Sequence, residues 1–295
     1  MVGCENKAAC QEEYNKRESK FRQGRLFLLT LKSKREIEGM AHSGAILAAA
    51  HQMLKPKLYV GMDTWEIEQL IDNFIQAHDA TASEKGVDGY KYATCISINE
   101  EVAHATPRKG LKLKNHDVVK VDFCVNWHGY QSDSAWTYVV GESTPEIDHL
   151  MQVAHTALYL GIKQAQPGNR VGDIGAAIQD YVENQNHMGD VRELIGHGIG
   201  PSVHEDPEIY HYGVAHHGLR LRPGMVITIE PMINAGGDWG LETKVVPETG
   251  WEYYVSADHS LSAQYEHTLA ITEDGPKILT SQDPIGDQEF LLKKA

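Results

Sequence analysis

From Ser33 to Met53 the apolar positions Ile37, Met40, Ala41, Ala45 and Ala48 recur at helical spacing, Ile46 and Leu47 widen the face, and Lys55-Pro56 ends the pattern. A second helix is predicted to begin at Asp63-Thr64, where Asp63 caps the first turn and Glu66 takes the reciprocal capping place; its apolar face is Ile67, Leu70, Ile71, Phe74 and Ile75. Pro145 to about Ala165 predicts a third helix, opened by Ser143 or Thr144 and closed by Pro167-Gly168, and Val171 to about Val182 predicts a fourth. Between these helices the period falls to two, or to short β-branched runs. Residues 93–99, 117–129, 134–141, 224–233, 250–256 and 266–272 predict strands, with a hairpin at Asn126-Trp127-His128-Gly129. Residues 1–27 are polar and aperiodic and read as an extension, residues 28–282 as one catalytic domain, and residues 283–295 as a tail whose last part, from Gln288, is expected to be dispensable.

The pattern occurs twice. LKLKNHDVVKVD at residues 111–122 is answered by LRLRPGMVITIE at residues 219–230, each a basic ramp, a turn and a β-branched run ending on a carboxylate. Residues 60–75 are echoed by residues 167–182, with Gly61 matching Gly168, Ile67 matching Ile174 and Ile71 matching Ile178. Helix, helix and strands, followed by helix, helix and strands, predict an α+β protein of two similar halves, with sheets from both and helices outside. The phosphate-binding glycine patterns of nucleotide folds are missing: GHGIG at residues 196–200 meets Pro201 instead of opening a helix.

Composition narrows the function classes. With 295 residues, 41% of them hydrophobic, the chain can bury a sizeable core. Its four cysteines, Cys4, Cys10, Cys95 and Cys124, are too few and too unevenly placed to staple it, which favours a reducing compartment. No apolar run is long enough to cross a bilayer, so a soluble cytoplasmic protein without membrane contact is expected. A net charge of -14, with no basic face, argues against a nucleic-acid function.

Five residues put polar chemistry into apolar, strand-like surroundings. Asp122 interrupts VVKVDFCV, Asp133 opens the strand after the hairpin, Glu230 ends VITIE, His197 lies between Gly196 and Gly198, and Glu266 precedes the last strand. Taken singly, each has an ordinary reading: an edge-strand charge for Asp122 and Glu230, a turn cap for Asp133, a satisfied core imidazole for His197. Together, buried carboxylates repel unless a cation sits among them. The nearby lysines and arginines are expected on the opposite alternation or in loops, which leaves metal as the neutraliser. Four carboxylates and an imidazole suit Mn²⁺, Fe²⁺, Co²⁺ or Zn²⁺, and two such ions sharing carboxylates would hold a hydroxide for hydrolysis. His104 and His204, in loops, are candidates to hydrogen-bond a substrate carbonyl, an oxyanion or a substrate nitrogen. His216-His217 reads as solvent-facing loop.

The segments ISINEEVAH, KVDFCVNWHGYQSDSAWTYVVG, GHGIGPSVHEDP, LRPGMVITIEPMI and SLSAQYEHTLAIT closely resemble type I methionine aminopeptidases of the bacterial kind, from about Leu31 to Thr280. The resemblance implies the pita-bread (creatinase/aminopeptidase) fold and removal of the initiator methionine from nascent polypeptides when the second residue is small. It implies Asp122 as a two-oxygen ligand of one metal, His197 and Glu230 as ligands of the other, and Asp133 and Glu266 as bridges. Glu230 would also move the proton to the leaving amine. His204 would contact the scissile carbonyl and His104 the leaving side. Tyr90, Cys95 and Trp251 match positions of the methionine pocket, and Val203 stands where an aromatic wall is familiar. Ala103 and Ala105 flank His104 in place of Cys and Gly, Glu84 and Val87 replace a Cys and a Tyr, and residues 236–250 lengthen the stretch before Glu266. A monomer, with possible transient ribosome contact, is expected. Two other readings stay open: a proline dipeptidase or Xaa-Pro aminopeptidase of the same fold, and a non-catalytic polypeptide-binding module.

Overall fold

The computed structural model describes residues 29–292, so the extension read over residues 1–27, with Cys4 and Cys10, lies outside the described residues. The first half contains helices α1 (Lys34–Leu54) and α2 (Thr64–Ala77), followed by strands β1 (Thr81–Ala82), β2 (Cys95–Ile98), β3 (Glu101–Ala103), β4 (Val118–Trp127) and β5 (Tyr130–Val139). The second half contains α3 (Pro145–Gln164) and α4 (Val171–Gln179), then β6 (Gly189–Asp190), β7 (Gly196–Gly198), β8 (Glu205–Ile209), β9 (Val226–Ile229) and β10 (Met232–Asn234). It continues with β11 (Leu241–Val245), β12 (Glu252–Ser256), β13 (Ser262–Gln264), β14 (His267–Thr272), β15 (Gly275–Ile278) and helix α5 (Pro284–Leu292).

The predicted caps form. Glu66 Oε1 accepts from the Asp63 amide while Asp63 Oδ1 accepts from Trp65 N, and Ser33 with Glu36 closes the same kind of box on α1. The duplication is repeated bond for bond. Gly61 N donates to Leu113 O and Thr64 N to Leu111 O; in the second half Gly168 N donates to Leu221 O and Val171 N to Leu219 O. Gly61 and Gly168 share a φ of 96°, a left-handed conformation that explains glycine at both turns. Each half also has its own core: Leu47, Ile67, Ile71, Val121 and Phe123 in the first, Leu158, Ile174, Ile178, Ile229 and Leu269 in the second, with Trp136 packed against both.

All sheet pairings are antiparallel. In the first half β4 carries β1, β2 and β5; in the second the order is β15-β14-β9-β7-β8, and two three-stranded sheets, β13-β10-β6 and β11-β12-β3, complete the surface. Side-chain hydroxyls join the halves: Thr268 Oγ1 donates to Asp133 O at 2.8 Å and accepts from Asp133 N at 2.9 Å, and Ser134 Oγ donates to Glu266 O at 2.7 Å. The seam thus satisfies its backbone polar groups without a continuous ladder.

Three expectations need correction. Strand β5 begins at Tyr130, not at residue 134, because His128 and Gly129 both take positive φ and form a two-residue hairpin loop, so pairing resumes at once. Asp133 therefore lies within the strand opposite Cys124, and the turn-cap reading fails. Lys120 lies on the same alternation as Asp122, not the opposite one, yet its ammonium is turned away, donating to Asn99 O at 2.7 Å and Ser262 O at 2.9 Å. The segment read as a tail is folded from 284 to 292 as α5: buried Asp287 accepts from the Tyr159 hydroxyl, and Phe290 packs on the second core. A chain ending at residue 282 is expected to lose about 1–3 kcal/mol of stability, since the second core loses the packing of Phe290 and Tyr159 loses its Asp287 partner. Urea denaturation checks this, and an unchanged midpoint would show that α5 contributes nothing.

Candidate metal centre

The two echoed strands deliver their acids to one cleft of about 580 Å³. Asp122 is the fifth residue of β4, and Glu230 follows β9 directly, where Pro231 lacks the N–H needed to continue the ladder. The Glu230 amide instead donates to His211 Nε2 at 3.1 Å, and its carboxylate accepts from Thr228 Oγ1 at 2.9 Å. His197 is brought in by β7. A side chain at Gly196 would meet Thr228 O at 2.6 Å, and one at Gly198 would meet Asp206 O at 2.1 Å, so the flanking glycines let backbones pack closely around the imidazole.

His197 Nδ1 donates to Gly198 O at 2.9 Å, which aims Nε2 at Asp133 Oδ2 (3.7 Å) and Glu230 Oε1 (3.6 Å). Ligand atoms of Asp133, His197 and Glu266 lie within 4.8 Å of one another, and Asp122 lines the same cleft. All five residues are thus brought together. Among the described residues no Lys or Arg lines the cleft. Asp133 Oδ1 and Glu266 Oε1 are buried without a hydrogen-bond partner. Orphaned carboxylate oxygens around an oriented imidazole, with no lysine or arginine among them, fit divalent metal.

The electrostatics follow from crowding. Burial, then the charge of Asp133, holds the Asp122 and Glu266 carboxyls well above the usual range. Burial raises Glu230 to about 7 against the opposing pull of His197. Burial pushes the Asp133 carboxyl up as well, but the facing His197 imidazole prevails and keeps it below the ordinary value. Burial disfavours the His197 imidazolium, but Asp133 and Glu230 outweigh it and lift it to about 9. Without metal, His197 therefore keeps its proton below about pH 9 and must lose it to become a ligand. Affinity for a divalent ion is expected to rise with pH up to about 9 in chelator-buffered titrations; a flat profile would count against ligation by His197.

Around this set stand the other candidates. His204 has its ring 4.5 Å from that of His197, and His104 has its ring 5.6 Å from Tyr254; both line the cleft. Burial, then the nearby imidazole, lowers both, His104 to about 4, so both are neutral near pH 7. Cys95 and Trp251 line the cleft, and Trp251 Nε1 donates to His104 O at 2.8 Å. Tyr90 and Val203 do not line it. Tyr90 stands behind the wall, its hydroxyl donating to Thr94 O at 2.7 Å and its ring 4.6 Å from Trp251, while Val203 is buried. Residues 236–250 include strand β11, paired with β12, which carries Tyr254 into the wall. The sequence reading missed Cys124 and gave Glu84 no role at the centre. Cys124 Sγ donates to Glu84 Oε1 at 2.9 Å. Glu84 lies in a loop whose pattern carries no strand signal.

The chain matches the model of metallopeptidase family M24 over residues 38–273. It is 41% identical to methionine aminopeptidase 1 of Bacillus subtilis over 86% of this chain and 99% of that protein, and 37% identical to the Escherichia coli methionine aminopeptidase over 85% and 94%. Its fold superposes on the methionine aminopeptidase of Thermotoga maritima with a TM-score of 0.82 at 38% identity, covering 86% of this chain and all of that one. A prolidase from Pyrococcus furiosus, at 22% identity and a TM-score of 0.68, shares the fold. Duplicated halves, a metal-ready set at their seam and these likenesses agree: the chain belongs to metallopeptidase family M24 and, within it, to the methionine aminopeptidases of the bacterial kind.

Proposed function

We propose that the protein is a metal-dependent aminopeptidase that removes the initiator methionine from nascent polypeptides whose second residue is small. The observation that carries this reading is the meeting of Asp133, His197, Glu230 and Glu266, with Asp122, in one cleft that, among the described residues, no lysine or arginine lines. These five residues would hold two divalent ions (Fe, Mn, Co or Zn), which would supply Lewis acidity and lower the pKa of water. Glu230, steadied by the Thr228 hydroxyl, accepts the proton of the attacking water and passes it to the leaving amine. Neutral His204 donates to the scissile carbonyl oxygen as negative charge develops there. His104 contacts the leaving side, its backbone held by Trp251. The first side chain of the substrate enters between Cys95 and Trp251, with Tyr90 buttressing Trp251 from behind; such a wall selects by shape, so norleucine is accepted along with methionine.

No helix among the described residues is long and apolar enough to cross a membrane. The free, buried Cys95 and Cys124 suit a reducing cytoplasm. In this reading the protein is a monomer that meets ribosomes only transiently. Met-Ala-Ser and an Ala-Pro tripeptide, each assayed with chelator and after metal add-back, test the reading. Metal-restored cleavage of the first alone is expected. Preference for the second would replace it with an Xaa-Pro activity, and cleavage of neither with a binding role.

A further inference from the structure

Two divalent ions balance the four carboxylates of the proposed centre, but the same cleft holds further acids, of which Glu84 stands beside Asp133, and among the described residues no lysine or arginine lines it. Glu84 faces Cys124, which is fully buried and stands directly opposite Asp133 in the β4–β5 register, on the same face of β4 as Asp122. One ligand atom each from Glu84, Cys124 and Asp133 lies within 4.8 Å of the others. The second observation concerns Asp133, which is 5% exposed: its Oδ2 faces His197, whereas its Oδ1 is buried with no hydrogen-bond partner.

We propose that Glu84, Cys124 and Asp133 form a third cation position beside the metal pair, sharing Asp133 with it. The donors decide the kind of ion. A thiolate with two carboxylates suits a borderline ion such as Zn²⁺, Co²⁺ or Fe²⁺ and disfavours Mg²⁺ and Ca²⁺, which take all-oxygen shells. Such an ion displaces the Cys124 thiol proton and neutralises Glu84, replacing the hydrogen bond now made between them. Asp133 can serve on both sides because each carboxylate oxygen has two lone pairs. The position rests on the metal-dependent reading above only through this shared residue.

The test is a Co²⁺ titration of the chelator-stripped full chain, followed by equilibrium dialysis and by near-ultraviolet and visible absorption. Three equivalents are expected, the third bringing thiolate-to-cobalt charge-transfer absorption. Cys124→Ser should abolish that absorption and one equivalent of binding, and Glu84→Gln should remove the same equivalent while the other two remain. Two equivalents without a thiolate band overturn the third position and leave the dinuclear reading standing. A thiolate band within the first two equivalents also overturns it, by making Cys124 a ligand of the pair. Binding of fewer than two ions overturns both readings.

Discussion

Asp133→Asn is expected to lower kcat by at least about a hundredfold while leaving the fold in place. The two functions of this residue are carried by different atoms. Its backbone N–H and C=O hold the seam through Thr268 Oγ1, and asparagine keeps both bonds. Its carboxylate faces His197 on one side and has an orphaned oxygen on the other, so an amide removes one charge and puts a donor where a cation belongs. Kinetics at saturating metal, with a thermal midpoint on the same sample, separate the two. Near-normal turnover in a fully loaded variant would rule out Asp133 as a bridge.

Glu230→Gln is expected to be at least as severe, about a thousandfold in kcat, because one side chain is asked both to hold metal and to carry the proton. The substitution spares the local structure: the Glu230 amide is held by His211, and glutamine still accepts from the Thr228 hydroxyl. KM for Met-Ala-Ser should change little, since the loss falls on the chemical step. A variant within about tenfold of the parent kcat would remove Glu230 from proton transfer.

Much of this architecture is legible in residue order because local rules and the tertiary structure agree. Ser33 and Asp63 cap where a side-chain acceptor precedes an apolar period, and Gly61 and Gly168 mark turns that only glycine makes cheaply. Asp122 and Glu230 stood out because a carboxylate amid β-branched residues is costly without a partner. The start of β5 did not: Gln131, Ser132 and Asp133 are polar, yet all are buried, since their partners come from elsewhere in the fold. Strand β8, running through Glu205, Asp206 and Pro207, offers no alternation to read. Glu84 and Cys124 are distant in sequence and acquire meaning only through β4 and the loop that faces it.

The matching turns and separate cores of the halves have one more consequence. The echoed strands each supply a carboxylate, Asp122 within β4 in one half and Glu230 directly after β9 in the other, so two copies of a single half, associated about a dyad, would already bring opposed acids to a common axis. An ancestral homodimer of half-length chains could have captured an ion there before fusion. Asp133 on β5, paired with β4, and Glu266 directly before β14, paired with β9, would add a second acid from each half to the same axis.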